Sequence, residues 1–106
     1  MRARERRKHQ RLNLQFKAIL SHMGLNVRVE GITENLSQGG AFIKTGKWPK
    51  FQINDKAVVA FFLPPNFTGL AETVGLHGTA TVTRTDKENK GIGLRFIRNF
   101  RHFEWI

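Results

Sequence analysis

The chain has no cysteine, so neither a disulfide framework nor a thiolate metal site is open to it, which is compatible with a reducing compartment. It has no stretch near the ~20 consecutive apolar residues of a membrane span, and no apolar run behind the cations of its first residues. These absences predict a soluble, cytoplasmic protein or module. Acidic residues are scarce as well: 8 Asp and Glu stand against 18 Lys and Arg, a net charge of +10. An excess of that size favours anionic partners such as nucleic acid, nucleotides or an acidic membrane surface. The sequence marks of catalysis are missing too. There is no P-loop, no nucleophile elbow and no carboxylate pair in a setting suited to acid–base work. His9, His22, His77 and His102 show no ligand-like spacing, which with the lack of cysteine argues against zinc. The chain is expected to be no enzyme, to hold no metal and to need no cofactor.

What is present fits one compact domain of 106 residues, long enough to bury a single core without metal or disulfide help. The cations are unevenly placed. Arg2, Arg4, Arg6, Arg7, Lys8 and Arg11 face Glu5 alone in residues 1–11, so half of the net charge sits in about a tenth of the chain. Self-repulsion predicts that this basic segment stays extended until something anionic binds it.

From Leu12 the pattern changes to alternation. Leu12, Leu14, Phe16, Ala18 and Leu20 are apolar, and Asn13, Gln15, Lys17 and Ser21 between them are polar, the period of a strand with one buried face. A turn at Gly24-Leu25-Asn26 leads into a second extended stretch over 27–37, with a bulge expected at Gly31. Residues 39–45 read as a third strand entered through two glycines, followed by a loop that carries Trp48 with Lys47 and Lys50. The near-continuous apolar run over 55–64, rich in β-branched and aromatic residues and closed by Pro64-Pro65-Asn66, reads as a buried strand. Stretches 76–86 and 91–97 complete the set. Six short strands without a long helical period predict an all-β fold, a six-stranded antiparallel barrel closed on itself. Phe100, Phe103 and Trp105 fall at near-helical spacing and predict a short C-terminal helix plugging or flanking that barrel. The expected division is therefore a flexible basic segment over 1–11, a barrel over 12–97, and a short helix or tail over 98–106.

Two stretches can carry recognition. Arginine forks match two phosphate oxygens or the O6 and N7 of guanine, and their flat faces stack on bases. Arg7 and Arg11, four residues apart, can clamp one guanine nucleotide, although a solvated run reads the same way. In "ENLSQGG" an extended chain points Asn35 and Ser37 to one face while Leu36 anchors in the core. Asn35 offers donor and acceptor, Ser37 a small hydroxyl. Gly39 and Gly40 permit positive φ and bring bare N–H groups close to an anion. A turn made of the usual turn residues reads the same way. Arg84 follows Ala80 and Val82 on an inward parity, yet at its strand's end it can emerge at the rim, either beside a ligand or in a structural ion pair.

Taken together, Arg7-x-x-x-Arg11 followed after the second strand by Asn35-x-Ser37-x-x-Gly40 resembles the paired signature of PilZ domains, RxxxR and then [D/N]xSxxG. The later "TVTRTDKENKGIGLRFI" is similar to the family's penultimate hairpin. The resemblance spans about Arg6 to Ile97. It implies a six-stranded split-barrel type of fold that binds the bacterial second messenger cyclic di-GMP on its outer surface. By position Arg7 and Arg11 would wrap over the ligand, and Asn35, Ser37 and Gly40 would contact its other side, with Gly39 adding a backbone contact. Arg6, just before the motif, would reach a second guanine if the ligand is taken as an intercalated dimer. Asn35 stands where many members have Asp. An amide has one acceptor where a carboxylate has two, which implies softer guanine discrimination. An unidentified protein partner or adjoining domain would receive the signal.

Two other classes compete. One is a small basic barrel binding single-stranded nucleic acid. It needs aromatic platforms on an exposed strand face, whereas most of the nine Phe sit in runs that read as core. The other is a PilZ-like adaptor that binds protein without a ligand, against which the intact motifs argue.

Overall fold

The computed structural model describes residues 15–46 and 50–106. The first strand, β1 (Lys17–His22), follows the alternation: Phe16, Ala18 and Leu20 are buried while Gln15 and Lys17 are exposed. Its expected beginning at Leu12 lies outside the described residues. The turn after it is held by His22, whose ring Nδ1 accepts the N–H groups of Gly24 and Leu25 at 2.9 and 3.0 Å. Its Nε2 faces Asp55 Oδ2 at 3.1 Å. Both ring nitrogens are thereby engaged in the fold, with Nε2 the donor.

Strands β2 (Arg28–Leu36), β3 (Gly40–Lys44), β4 (Lys56–Leu63), β5 (Val74–Asp86) and β6 (Gly91–Phe96) follow. The spatial order is β4-β1-β2-β3-β6-β5, and β4 pairs with β5 to close the ring. Every pairing is antiparallel, so the expected six-stranded barrel is the observed one. Leu20, Leu36, Ile43, Val59, Phe61, Val82 and Ile92 fill its interior at 0 to 1% exposure. Within β4 the apolar run divides into two faces: Ala57, Val59, Phe61 and Leu63 are buried, and Val58, Ala60 and Phe62 are half-buried outside.

Three local features depart from the sequence reading. The bulge expected at Gly31 is absent there, since Gly31 pairs regularly with Ala18. The register instead slips between Thr33 and Asn35, with Glu34 the extra residue. The Thr33 hydroxyl turns inward, fully buried, and accepts the Phe16 N–H at 2.8 Å. Gly31 is required for a steric reason: a Cβ there would fall 2.4 Å from the Lys44 carbonyl oxygen.

A single helical turn not expected from the sequence, α1 (Pro65–Thr68), follows β4. It starts on Pro65, whose fixed φ suits the first helical position, and stops at Gly69 with φ of 77°, the left-handed conformation that favours glycine. The expected C-terminal helix amounts to one 3₁₀ turn, Phe100–His102, followed by a two-residue strand, β7 (Glu104–Trp105). The cause lies in β5, which pairs with β6 only from Ala80 onward and leaves its first half with an open edge. β7 takes that edge, Leu76 opposite Trp105 and His77 opposite Glu104. The Phe100 and Phe103 rings then pack around Phe61 and Phe96 with centroids 4.9 to 6.2 Å apart, closing one end of the barrel.

Candidate ligand-binding site

On the outside of the barrel one rung crosses four neighbouring strands. Asn35 of β2 pairs with Phe42 of β3, Phe42 with Gly93 of β6, and Gly93 with Arg84 of β5. Paired residues point to the same face, and here that face is the outer one, because Leu36, Ile43, Ile92 and Leu94 point into the core. The rung lies in a cleft of about 290 Å³ whose lining includes Glu34, Asn35, Ser37, Gly40, Phe42, Thr83, Arg84 and Gly93.

Two bulges build it. The slip at Glu34 lets Leu36 return to the core while both Asn35 and Ser37 face the cleft. A second slip between Val82 and Arg84 resets the parity of β5. The inward parity read for Arg84 therefore fails: Thr83 is the extra residue, and the Arg84 side chain emerges 64% exposed. Bulges next to a binding site commonly re-aim side chains in this way.

The turn at the cleft's end is tied by Ser37, whose N–H donates to the Gly40 carbonyl at 2.9 Å and whose hydroxyl lies 3.3 Å from that oxygen and from the Gly39 N–H. The hydroxyl bonds are long. Positive φ plays no part at Gly39 or Gly40; among the described glycines only Gly46 and Gly69 adopt it. Gly40 is needed because β3 and β6 come together there, and a Cβ would fall 2.2 Å from the Leu94 carbonyl oxygen. Gly39 is not among the residues lining the cleft; its carbonyl accepts the Phe96 N–H at 2.8 Å.

Arg84 is held on two sides. Its guanidinium carbon lies 4.7 Å from the centre of the Phe42 ring, and its Nη2 lies 3.6 Å from Asp86 Oδ2. The Asp86 carboxyl is held below its ordinary pKa chiefly by the Asn89 side-chain amide, then by the Asn89 backbone N–H, with Arg84 adding to the effect against the opposing pull of burial.

Four of the expected site residues, Asn35, Ser37, Gly40 and Arg84, thus line one cleft. Arg6, Arg7 and Arg11 lie outside the described residues. Sequence reading missed Phe42 and Thr83. Phe42 had a signal, for alternation between Ala41 and Ile43 leaves an aromatic on the outward parity. Among the described residues no cluster of His, Asp and Glu is arranged to hold a metal, and no helix is long and apolar enough to cross a membrane.

The family model for the PilZ domain matches residues 5–102. The chain belongs to the PilZ domain family. PilZ domains are cyclic di-GMP receptors and act as binding modules. Among solved structures this PilZ domain is similar to the Bacillus subtilis inhibitor of motility, MotI/DgrA, with a TM-score of 0.68 and 17% identity over 90% of this chain and 44% of that one. It is also similar to the PilZ domain of CeSA from a cellulose-synthesising bacterium, with a TM-score of 0.60 and 24% identity over 87% of this chain and 85% of that one. At these identities the likeness is one of fold. The PilZ domain described here spans less than half the length of the motility inhibitor. A search of curated proteins finds no match.

Proposed function

We propose that this PilZ domain is a cytoplasmic cyclic di-GMP receptor in which the outer cleft takes one side of the nucleotide and Arg7 and Arg11 close over the other. The observation that carries the reading is the convergence of Asn35 from β2, Ser37 from the turn after it, Gly40 from β3 and Arg84 from β5 on one outward cleft.

Charge supports the division of labour. The cleft's described wall offers one cation, Arg84, against the carboxylate of Glu34, too little for a ligand with two phosphates. The sequence supplies six cations in residues 1–11. Phe16 docks on Thr33, two residues from Asn35, and covalent geometry keeps Arg11 within about 18 Å of Phe16. The arm is therefore within chain reach of the cleft. A dianion would neutralise its self-repulsion and favour the closed arrangement, which is a population shift driven by differential binding. A second, intercalated ligand molecule would call on Arg6 and on the adjoining cleft of about 650 Å³, which carries Lys44 and Lys90 beside Glu34 and Glu88.

The signal leaves through the ligand turn. Gln38 accepts the Phe100 N–H on its carbonyl at 2.8 Å and the Arg101 N–H on its side chain at 2.9 Å. Movement of the Ser37–Gly40 turn therefore reaches the C-terminal segment, whose changed surface addresses a partner protein or adjoining domain.

Titration calorimetry with cyclic di-GMP tests the reading. The expected result is micromolar or tighter binding, weakened at least tenfold by Arg7→Ala or Arg11→Ala. Absence of heat at high ligand concentration excludes the receptor function.

A further inference from the structure

Phe42 is an aromatic residue that the barrel's interior does not use. It lies on the outward parity of β3, opposite Gly93, and is absent from the contiguous core, yet it is only 9% exposed. Two neighbours account for its burial. Its ring lies over Gly91, where an added Cβ would fall 2.2 Å from Cζ. The Arg84 guanidinium covers it at 4.7 Å. Gly93 completes the seat, since a Cβ there would come 3.1 Å from Arg84 Cβ. The two glycines of "GIG" thus leave room for a ring and for the arginine stem lying across it.

We propose that Phe42 is a positioning residue for ligand recognition. Its ring fixes the Arg84 guanidinium flat along the cleft, so that one face rests on the phenyl group and the other is offered to a purine base. A guanidinium is planar and weakly hydrated, and it stacks on aromatic faces. Held in advance by Phe42 on one side and Asp86 at its edge, Arg84 loses less side-chain freedom when a base stacks upon it. Its 64% exposure leaves the outer face open. The ligand class is one that presents a flat base together with phosphate, and the inference rests on the cyclic di-GMP reading above.

The test compares cyclic di-GMP affinities of the wild-type chain, Phe42→Leu, Phe42→Tyr, Arg84→Ala, Arg84→Lys and the double variant Phe42→Leu/Arg84→Ala, with melting temperatures alongside. Phe42→Leu keeps apolar volume and loses the ring, and is expected to weaken binding roughly tenfold, while Phe42→Tyr keeps wild-type affinity. Arg84→Lys, which retains charge but no flat face, is expected to bind as weakly as Arg84→Ala. The double variant is expected to bind no more weakly than Arg84→Ala alone, because Phe42 acts through Arg84. A wild-type chain that binds while Phe42→Leu binds equally well, or losses that add in the double variant, overturns the positioning role and leaves the receptor reading standing. If Phe42→Leu fails to fold, Arg84→Lys decides: full affinity in that variant overturns the proposal. A wild-type chain that binds no cyclic di-GMP removes both.

Discussion

The Gln38 side-chain oxygen accepts the Arg101 backbone N–H at 2.9 Å across 63 residues of sequence, tying the turn that carries Ser37 and Gly40 to the segment that closes the barrel. Gln38 occupies a variable position of the motif, and the proposed signalling route runs through its side chain. Gln38→Ala is expected to remove the side-chain bond alone, at no more than about 1 kcal/mol of stability, and to leave cyclic di-GMP affinity near wild type. The expected change is in coupling. Hydrogen exchange at the Arg101 amide is expected to become faster in the variant and to respond less to cyclic di-GMP than in the wild type, the Phe100–Gln38 backbone bond being kept; equal responses would remove the side chain from the route.

Asn35 supplies one acceptor where a carboxylate would supply two. In the proposed receptor its place on the cleft wall would give a guanine edge, with adjacent N1–H and amino donors, less to bind than an aspartate would. Asn35→Asp is expected to raise the preference for cyclic di-GMP over cyclic di-AMP by roughly tenfold, the order of a hydrogen bond to a charged group. Competition titrations with the two dinucleotides measure it, and an unchanged ratio removes the guanine-reading role of residue 35.

The strands were legible because alternation is a local property: every one of the six appears where period two or an apolar run placed it. The bulges were not. In β2 a bulge at Gly31 would turn Ile32 inward, whereas alternation runs unbroken through Gly31, leaving Thr33 fully buried and Ile32 46% exposed. The slip that does occur, at Glu34, is set by pairing with β3, so no window on β2 alone contains it. The same reasoning applies to Arg84, whose parity is reset at Thr83 by pairing with β6. Asn35, Ser37 and Gly40 were readable from spacing because a turn keeps them together. Phe42 had the signal of alternation alone, and an aromatic beside Ile43 reads equally as core until the register places it opposite Gly93.

Gly40 and Ser37 are separable by experiment although they share the ligand motif. Gly40→Ala drives a Cβ to 2.2 Å from the Leu94 carbonyl oxygen, an atom fixed in the β6 backbone. It is expected to cost about 1–3 kcal/mol or more of stability, as is Gly31→Ala, which meets the Lys44 carbonyl oxygen at 2.4 Å. Ser37→Ala gives up only hydroxyl contacts of 3.3 Å and is expected to cost less than about 1 kcal/mol, with at least tenfold weaker ligand binding. Urea denaturation beside calorimetry distinguishes the two. Equal destabilisation by Ser37→Ala and Gly40→Ala contradicts the assignment.

Asp86 is expected to make the β5–β6 hairpin sensitive to acid. Its carboxyl is held below the ordinary value first by the Asn89 side-chain amide at 2.8 Å and next by the Asn89 backbone N–H at 3.0 Å. A carboxyl whose pKa is lower folded than unfolded contributes stability above its unfolded value. That contribution is lost as pH falls from about 4 through the folded value. Asn89→Ala removes the largest cause, so the variant is expected to be less stable at neutral pH and to lose less of its stability on acidification. Urea midpoints of the wild type and variant from pH 7 to below pH 4 should therefore converge towards the acid end. Parallel curves would mean that Asp86 titrates alike in both. The same carboxylate steadies Arg84 at 3.6 Å, so its protonation in this range is also expected to loosen the guanidinium from its seat over Phe42.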